Sequence, residues 1–235
     1  LKPEFAEKKA AYQAYVGRAL AMAGWPEAEK AAADIVAMET RIAEAHWPIA
    51  DRRDSNKTYN PMTTAELAAY APGFDWAAWM NGAGVARVQK VVIAEKTAFP
   101  KIAAIFAEAP LETLKAWEAF NVINQASPYL PKRYVDSRFQ FVGTTLAGQK
   151  ENRPRWSRAV SLVDSSLGEA VGQEYVKKYF PAEAKAEMEK LVDNLKLAMR
   201  GRIERLDWMA PQTKAEAFAK LDKMRVRVGY PNKWR

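Results

Sequence analysis

The sequence predicts a mainly α-helical fold: a large multi-helix lobe with minor extended segments. Apolar residues recur at three- and four-residue steps over long stretches, which is the spacing of one face of a helix. Prolines and a capping motif stand where such stretches begin. Two stretches are rich in β-branched residues, and two are too few for a sheet-based fold.

Apolar stripes predict three long helices. They cover roughly residues 26–50, 153–178 and 182–206. We expect each stripe to be buried against another part of the fold, because an apolar helix face is stable only when it is covered. In chain order, the stripes consist of Ile35, Met38, Ile42 and Ala45; of Val160, Val163, Leu167 and Val171; and of Met188, Leu191, Leu195, Met199, Ile203 and Leu206.

Local signals predict the remaining boundaries. In the motif TTAE, the Thr63 hydroxyl can accept a hydrogen bond from a free helix amide, and Glu66 can reach back to the amide of Thr63. The segment SPYLP at 127–131 separates two helices, because proline disfavours helix in the residue before it. We expect a short element near 74–80. Four prolines stand at predicted helix starts: Pro110, Pro154, Pro181 and Pro211.

Two segments are predicted to be extended, RVQKVVI at 87–93 and RVRVG at 225–229. The alternation of the second segment fits the start of a strand, and Gly229-Tyr230-Pro231 fits a turn. No internal repeat and no flexible linker divides the chain. We therefore expect one mainly helical domain with a small extended element, and a second extended piece that starts at its C-terminal end.

Composition excludes several classes of protein. The 235 residues are 49% hydrophobic and 27% charged, with eight Trp, as expected of a folded chain that buries a core. No stretch reaches the ~18 consecutive apolar residues that span a bilayer, so we predict no transmembrane segment. The absence of cysteine excludes disulfides and cysteine-based metal sites.

The formal net charge of +8 raises nucleic acid or an anionic surface as a partner. Acidic residues are interspersed among the basic ones, however, as in AEAKAEMEKLVDNLKLAMRGRIERLDW. A solvated helix face is the simpler interpretation of such a run, and its glutamates and lysines form surface pairs. We therefore predict no nucleic-acid partner.

The sequence offers no catalytic or metal-binding constellation. His46 is the one histidine, so a zinc site of the His-Glu-x-x-His type cannot form. His46 follows the apolar stripe of the first predicted helix, and we interpret it as a packed or helix-end residue rather than a catalytic one. No serine lies in a Gly-x-Ser-x-Gly turn, and neither nucleotide-binding glycine fingerprint is present. We predict no catalytic residue and no metal ligand, and the substrate-binding residues are unknown.

Several motifs allow more than one interpretation. The polar segment DRRDSNKTYNPMT at 51–63 is either a functional loop or a connection held by its own side-chain hydrogen bonds from Asp54, Ser55 and Asn56. Gly168 and Gly172 stand one helical turn apart, which suggests that another helix or a loop packs tightly there.

Basic residues stand beside aromatic ones at 129–141, at 152–158 and at the C-terminus. Such clusters could follow a phosphate backbone and stack on bases. They could equally line a cavity that holds a peptide's carboxylate, for which arginine is suited. The default interpretation is an ordinary surface of ion pairs.

Four ordered blocks resemble the neprilysin and endothelin-converting enzyme family of zinc metallopeptidases. The first block is METRIAEAHWPIADRRDSNKTYNPMT, which resembles a long helix, an Asp-Arg-Arg-Asp-like turn and Tyr-Asn-x-Met-Thr. The second is YVDSRFQFVGTTLAGQKENRPRWSRAV, and the third is LGEAVGQEYVKKYFP. The last is RIERLDWMAPQTKAEAFAKLDKMRVRVGYPNKWR, which carries the Gly-Tyr-Pro-x-x-Trp ending. The resemblance covers nearly the whole chain.

The resemblance implies part of a two-lobed, zinc-dependent endopeptidase of oligopeptides. The resemblance places residues 1–222 in the helical lid lobe, which encloses the substrate chamber and restricts substrate size. It makes residues 223–235 the start of the crossing towards the catalytic domain. The family's zinc and substrate motifs lie C-terminal to the Gly-Tyr-Pro block, so no catalytic residue is carried over to this chain. We expect a middle piece of the protein that binds no zinc itself, whose partners are the catalytic lobe and peptide substrates. The family also implies a periplasmic or extracellular location.

Two alternatives remain at this point. One is a non-enzymatic helical interaction module, and the other is a basic nucleic-acid-binding helical domain, which would bind DNA or RNA with a steep salt dependence.

Overall fold

The computed structural model describes residues 5–234, and they are mainly helical, as predicted. The chain divides into two compact units, residues 1–152 and 153–235, called here the N-terminal and C-terminal units. The N-terminal unit contains α1 Ala6–Met22, α2 Ala28–Ala45, α3 Ser55–Thr58, β1 Pro61–Thr63, α4 Thr64–Tyr70, α5 Trp76–Gly82, β2 Lys90–Val92, α6 Ala98–Glu108, α7 Leu111–Ala126 and α8 Lys132–Arg138. It also has 3-10 helices at Asp51–Arg53 and Ser127–Tyr129 and a π-helix at Phe139–Leu146. The C-terminal unit contains α9 Arg155–Tyr179, α10 Ala182–Arg205 and α11 Pro211–Asp222.

The main core of the N-terminal unit lies where α1 packs on α2 and α7. Leu20 and Ile35 are fully buried, and burying such a side chain contributes about 1.5–3 kcal/mol. The Tyr15 ring stacks on Phe141 with centroids 5.2 Å apart and meets Phe120 edge-on at 5.8 Å. Because the Tyr15 hydroxyl donates to Asn124 Oδ1 at 2.7 Å, burial leaves no orphaned polar group there.

A second, smaller core lies beneath the two-stranded sheet and includes Leu67, Ile93 and Ala103. The strands are antiparallel, with Met62 opposite Val91. The predicted extended segment at 87–93 is thus a strand over 90–92. The predicted capping box is confirmed, because Thr63 Oγ1 accepts from the Glu66 amide at 3.1 Å and Glu66 Oε2 accepts from the Thr63 amide at 2.7 Å.

The π-helix continues directly from α8 and depends on a glycine. A Cβ at Gly143 would lie 2.4 Å from the Phe139 ring, so only glycine fits beneath that ring. Such π-helical turns are rare and are frequent at functional sites. This one packs against α1 and so fixes the side chains that face the end of α1.

The C-terminal unit carries two apolar helix faces that the rest of this unit leaves exposed. The stripe of α9 was expected to be buried, but its residues are 41–60% exposed, from Val171 to Leu167. On α10, Met188, Leu191, Leu195 and Met199 are 42–60% exposed. The prediction of burial is therefore wrong for these two helices, since their stripes are not covered within the C-terminal unit. For α2 it is right, since Ile35, Met38 and Ala45 are buried.

Helix α9 is not straight. Leu167 has φ −125° and ψ 25°, which are not helical values, and the helix kinks there, next to Gly168. No helix among residues 5–234 is long and apolar enough to cross a membrane.

Candidate functional site

The described residues form no metal centre. Among residues 5–234, no group of three His, Asp or Glu side chains is placed to hold a metal ion. His46 caps the C-terminal end of α2, so the helix-end interpretation is confirmed. Its Nδ1 lies 3.1 Å from Oε2 of Glu95.

Glu95 is the centre of a buried polar network in the N-terminal unit. It is 8% exposed and follows β2 and Ile93 in the chain. Its Oε2 accepts from the backbone amide of Trp47 at 2.6 Å, and its Oε1 lies 3.1 Å from Nε of Arg52. One carboxylate thus joins the end of α2 and the following 3-10 helix to the segment after β2.

The polar segment 51–63 lies beside this network and is held by its own hydrogen bonds. Asp54 Oδ1 accepts from the Asn56 amide at 2.9 Å and caps α3, as the connection interpretation predicts. Asn60 Nδ2 donates to the carbonyl groups of Lys57 and Ile93, at 2.7 and 2.9 Å. The segment is therefore a tied connection rather than an open loop.

The environment of Glu95 both raises and lowers the pKa of its carboxyl group, and the lowering effects are larger. Burial acts to raise the pKa, but the Trp47 amide, His46 and the Arg52 guanidinium stabilise the ionised form. The result is a pKa below the ordinary value of 4.5. A carboxyl group whose pKa is lower in the folded state stabilises the fold when it is ionised.

This lowered pKa predicts an acid-sensitive fold. The stabilisation from Glu95 is complete above pH 4.5 and is lost as the pH falls through the lower folded pKa. Denaturant unfolding measured at a series of pH values, for the native chain and for Glu95→Gln, isolates this contribution. We expect the difference in stability between the two proteins to shrink as the pH falls below 4.5. A difference that stays constant over that range would contradict the prediction.

A surface groove lies between the end of α1 and the α8–π-helix segment. It encloses about 660 Å³. We call it the α1–α8 groove. It is lined by Arg18, Ala21, Met22, Arg133, Asp136, Ser137, Phe139, Gln140 and Thr144. The basic and aromatic cluster at 129–141 thus contributes one arginine, Arg133, and one aromatic ring, Phe139, to a concave surface.

A second constellation lies in the C-terminal unit, where a lysine holds the last described residues. Lys185 of α10 is 8% exposed. Its Nζ donates to the carbonyl group of Tyr230 at 2.8 Å and to Asn232 Oδ1 at 2.6 Å, and it lies 4.4 Å from the centre of the Tyr230 ring. Glu189 is 3.9 Å away at its nearest oxygen. This lysine was predicted to belong to a solvated helix face, and that prediction is wrong.

The segment held by Lys185 is a turn rather than a strand. No strand is present among described residues 225–229, so the strand prediction is wrong and the turn at Gly229 is confirmed. Gly229 has φ +62°, and a Cβ there would be 2.3 Å from the Phe180 ring. The Tyr230 ring stacks on Trp234 at 5.8 Å. Arg235 lies outside the described residues, as does the expected crossing point there.

The two glycines of α9 differ. A Cβ at Gly172 would lie 3.3 Å from the Trp234 ring, so the predicted close packing is confirmed at this position. Gly168 faces open space, and the prediction is wrong there. The basic cluster at 152–158 is a local surface: Arg153 Nη2 donates to Ser157 Oγ at 2.7 Å, and Trp156 is 71% exposed.

Comparison with known proteins gives one family. The family model described as peptidase family M13 matches residues 1–231. Neprilysin-2 of Drosophila melanogaster is 27% identical over 210 residues, which cover 83% of this chain and 27% of that protein. Human endothelin-converting enzyme 1 is 27% identical over 202 residues, which cover 84% of this chain and 26% of that protein.

Solved structures agree with the sequence comparisons. The cryo-EM structure of the Mycobacterium tuberculosis zinc metalloprotease ZMP1 in an open state superposes with a TM-score of 0.84 at 38% identity. The superposition covers 100% of this chain and 37% of that chain. This chain therefore spans about a quarter of the length of its curated relatives and over a third of this solved one. With the family model matched over nearly the whole sequence, the chain belongs to peptidase family M13.

Proposed function

We propose that this chain is the non-catalytic helical lobe of a zinc-dependent endopeptidase that cleaves oligopeptides. The observation that carries the proposal is the family match over residues 1–231, together with the zinc metalloprotease named among the similar structures. The lobe encloses the substrate chamber and restricts the size of peptides that enter. In this proposal residues 1–222 form the lobe and residues 223–235 lead towards the catalytic part. That boundary stays a prediction, beside the two compact units divided at residue 152.

Zinc belongs elsewhere in the proposed enzyme. The residues described here do not fit it, since residues 5–234 present no group of three candidate ligands and His46 is engaged with Glu95. The catalytic ion and its ligands would lie in the catalytic lobe, and we assign no step of peptide cleavage to the side chains of this chain.

The uncovered faces of α9 and α10 support a large partner. Val160 and Leu167 on α9 and Leu195 on α10 are each 60% exposed. Apolar surface exposed on this scale marks an interaction site in soluble proteins. We propose that the remainder of the same peptidase covers these faces, and that the enzyme works outside the cytoplasm, as the family resemblance implies.

The proposal is tested by reading the coding frame that contains these residues and expressing its product. We expect a His-Glu-x-x-His motif C-terminal to residue 235 and a product that binds zinc and cleaves unstructured oligopeptides but not folded proteins. The 235-residue chain alone serves as the control and should cleave neither. Stoichiometric zinc binding and peptide cleavage by the 235-residue chain alone would refute the proposal that this lobe is the non-catalytic part of a zinc endopeptidase. A reading frame without the motif would also refute it.

A further inference from the structure

The α1–α8 groove carries two arginines for which the described part of the chain supplies no ion pair. Arg18 projects from α1 and Arg133 from α8, and both line the groove. Neither takes part in a salt bridge among residues 5–234, although Arg133 lies 5.1 Å from the centre of the Tyr134 ring. Two cations therefore line one concave surface, and neither is paired with the acidic side chain of that surface, Asp136.

Several other cations of the N-terminal unit are paired with a carboxylate: Lys30 with Asp34, Arg41 with Glu108, Lys57 with Asp51, Lys115 with Glu112 and Lys132 with Asp136. The last pair matters for the groove, because it engages the one acidic side chain in the groove wall, Asp136, with a lysine outside that wall. The unpaired positive charge of the groove is thus not cancelled locally.

The rest of the groove wall combines apolar surface with hydrogen-bonding groups. Met22 and Phe139 contribute an apolar side chain and a ring, and the ring is held in place over Gly143. Gln140 and Thr144 stand one turn apart on the π-helix and offer an amide and a hydroxyl group. The buried hydroxyl of Ser137, in the same wall, has no hydrogen-bond partner among the described residues. A buried hydroxyl without a partner is unfavourable, because it has lost its hydrogen bonds to water.

We propose that the α1–α8 groove binds an organic carboxylate that carries an apolar body. Arg18 and Arg133 hold the carboxylate through charge-assisted hydrogen bonds, for which the planar guanidinium fork is suited. Met22 and Phe139 contact the apolar body. Gln140, which lies on the π-helix, forms a hydrogen bond with the ligand through its side-chain amide. A volume of about 660 Å³ lies within the range of small-ligand pockets, about 300–1,000 Å³.

The chemistry of the groove favours a carboxylate over a nucleic-acid backbone. A phosphate backbone needs a row of cations and stacking rings along several nucleotides. The groove has two unpaired cations, one aromatic ring and the carboxylate of Asp136 in its wall. A single anionic group on an apolar body can pair with the two arginines and meets less repulsion from Asp136 than a row of phosphates would. The inference does not depend on the proposed peptidase role.

The test is calorimetric titration of the 235-residue chain with N-acetylphenylalanine and, as the matched neutral probe, N-acetylphenylalanine amide. We expect the acid to bind and the amide to bind at least about tenfold more weakly, since one charge-assisted contact contributes 1.4 kcal/mol or more. Arg18→Gln and Arg133→Gln should each weaken binding of the acid by about tenfold or more. The control is Arg41→Gln, which removes an arginine of the same unit outside the groove and should leave binding unchanged.

Amide signals in a nitrogen-15 NMR spectrum provide a second measurement, and those of Gln140 and Thr144 should shift with the acid. The dipeptide acid N-acetyl-phenylalanyl-leucine then separates two sources of the carboxylate. Tighter binding of the dipeptide assigns the groove to peptide C-termini, and equal binding assigns it to small free acids. Four results would overturn the proposal: equal binding of acid and amide, native affinity in either groove variant, full displacement of the acid by an equal concentration of inorganic phosphate, or no response to the acid up to its solubility.

Discussion

Replacing Glu95 by alanine should lower the free energy of unfolding of the N-terminal unit by about 2–3 kcal/mol. The substitution removes hydrogen bonds to a charged group, which contribute about 1.5–3 kcal/mol each, and water replaces part of this loss because Arg52 and His46 are partly exposed. The Trp47 amide and the Arg52 guanidinium would both lose their acceptor. This loss is a large part of the ~5–15 kcal/mol by which a typical domain is stable.

Hydrogen exchange followed by mass spectrometry measures this effect unit by unit. Peptides from α2, from 46–63 and from 90–98 should exchange faster in Glu95→Ala. The matched control is Glu108→Ala, which removes a carboxylate of the same unit that pairs with Arg41 and is 61% exposed in its side chain, against 10% for Glu95. An exposed pair contributes about 0–1 kcal/mol, so the control should stay close to the native protein. Equal effects of the two substitutions would show that Glu95 contributes no more to the stability of this unit than an exposed carboxylate does.

Replacing Lys185 by alanine should detach the turn at 229–234 from α10. The substitution removes two hydrogen bonds from a charged donor, to Tyr230 and Asn232, and the contact with the Tyr230 ring. Hydrogen bonds to charged groups contribute about 1.5–3 kcal/mol each, and we expect a local loss of about 2–3 kcal/mol, since water replaces part of what is lost.

Trypsin reports on this release because Arg225, Arg227 and Lys233 lie in or beside the held segment. We expect cleavage at these positions to become faster in Lys185→Ala while α2 and α7 keep their hydrogen-exchange protection. Lys190→Ala is the matched control, because Lys190 is an exposed lysine of the same helix with no ion pair among residues 5–234. If both variants were cleaved at the native rate, another contact would hold the turn.

The sequence predicts the helices of this chain well because their signals are local. The capping box at Thr63 and Glu66 needs four consecutive residues, and the stripe of α2 needs its own eighteen. Both are read without knowing the tertiary structure. The burial of α9 and α10 was predicted wrongly because burial is not a local property. Periodicity shows that an apolar face requires a partner, but it does not identify the residues that would supply one.

The two polar networks could not be predicted, because each joins residues that are distant in sequence. Glu95 meets Trp47 across 48 positions, and Lys185 meets Tyr230 across 45. Nothing in AEAKAEMEK separates Lys185 from the exposed lysines beside it, since its burial arises from the returning turn. One wall of the α1–α8 groove could be predicted, because the cluster at 129–141 suggested a surface that binds a carboxylate. The contribution of Arg18 could not be predicted, because it depends on the packing of α1 on α8.

The kink at Leu167 divides α9 into two arms. The thirteen residues from Arg155 to Leu167 form an arm about 20 Å long, at 1.5 Å per residue. A difference of about 10° in the kink angle would displace the far end of this arm by about 3 Å, roughly the length of a hydrogen bond. Val160 and Val163 lie on this arm, whereas Val171 and the turn bound by Lys185 follow the kink in the chain. The backbone angles of one residue, Leu167, therefore set the direction of the exposed apolar face on the first arm relative to the rest of α9.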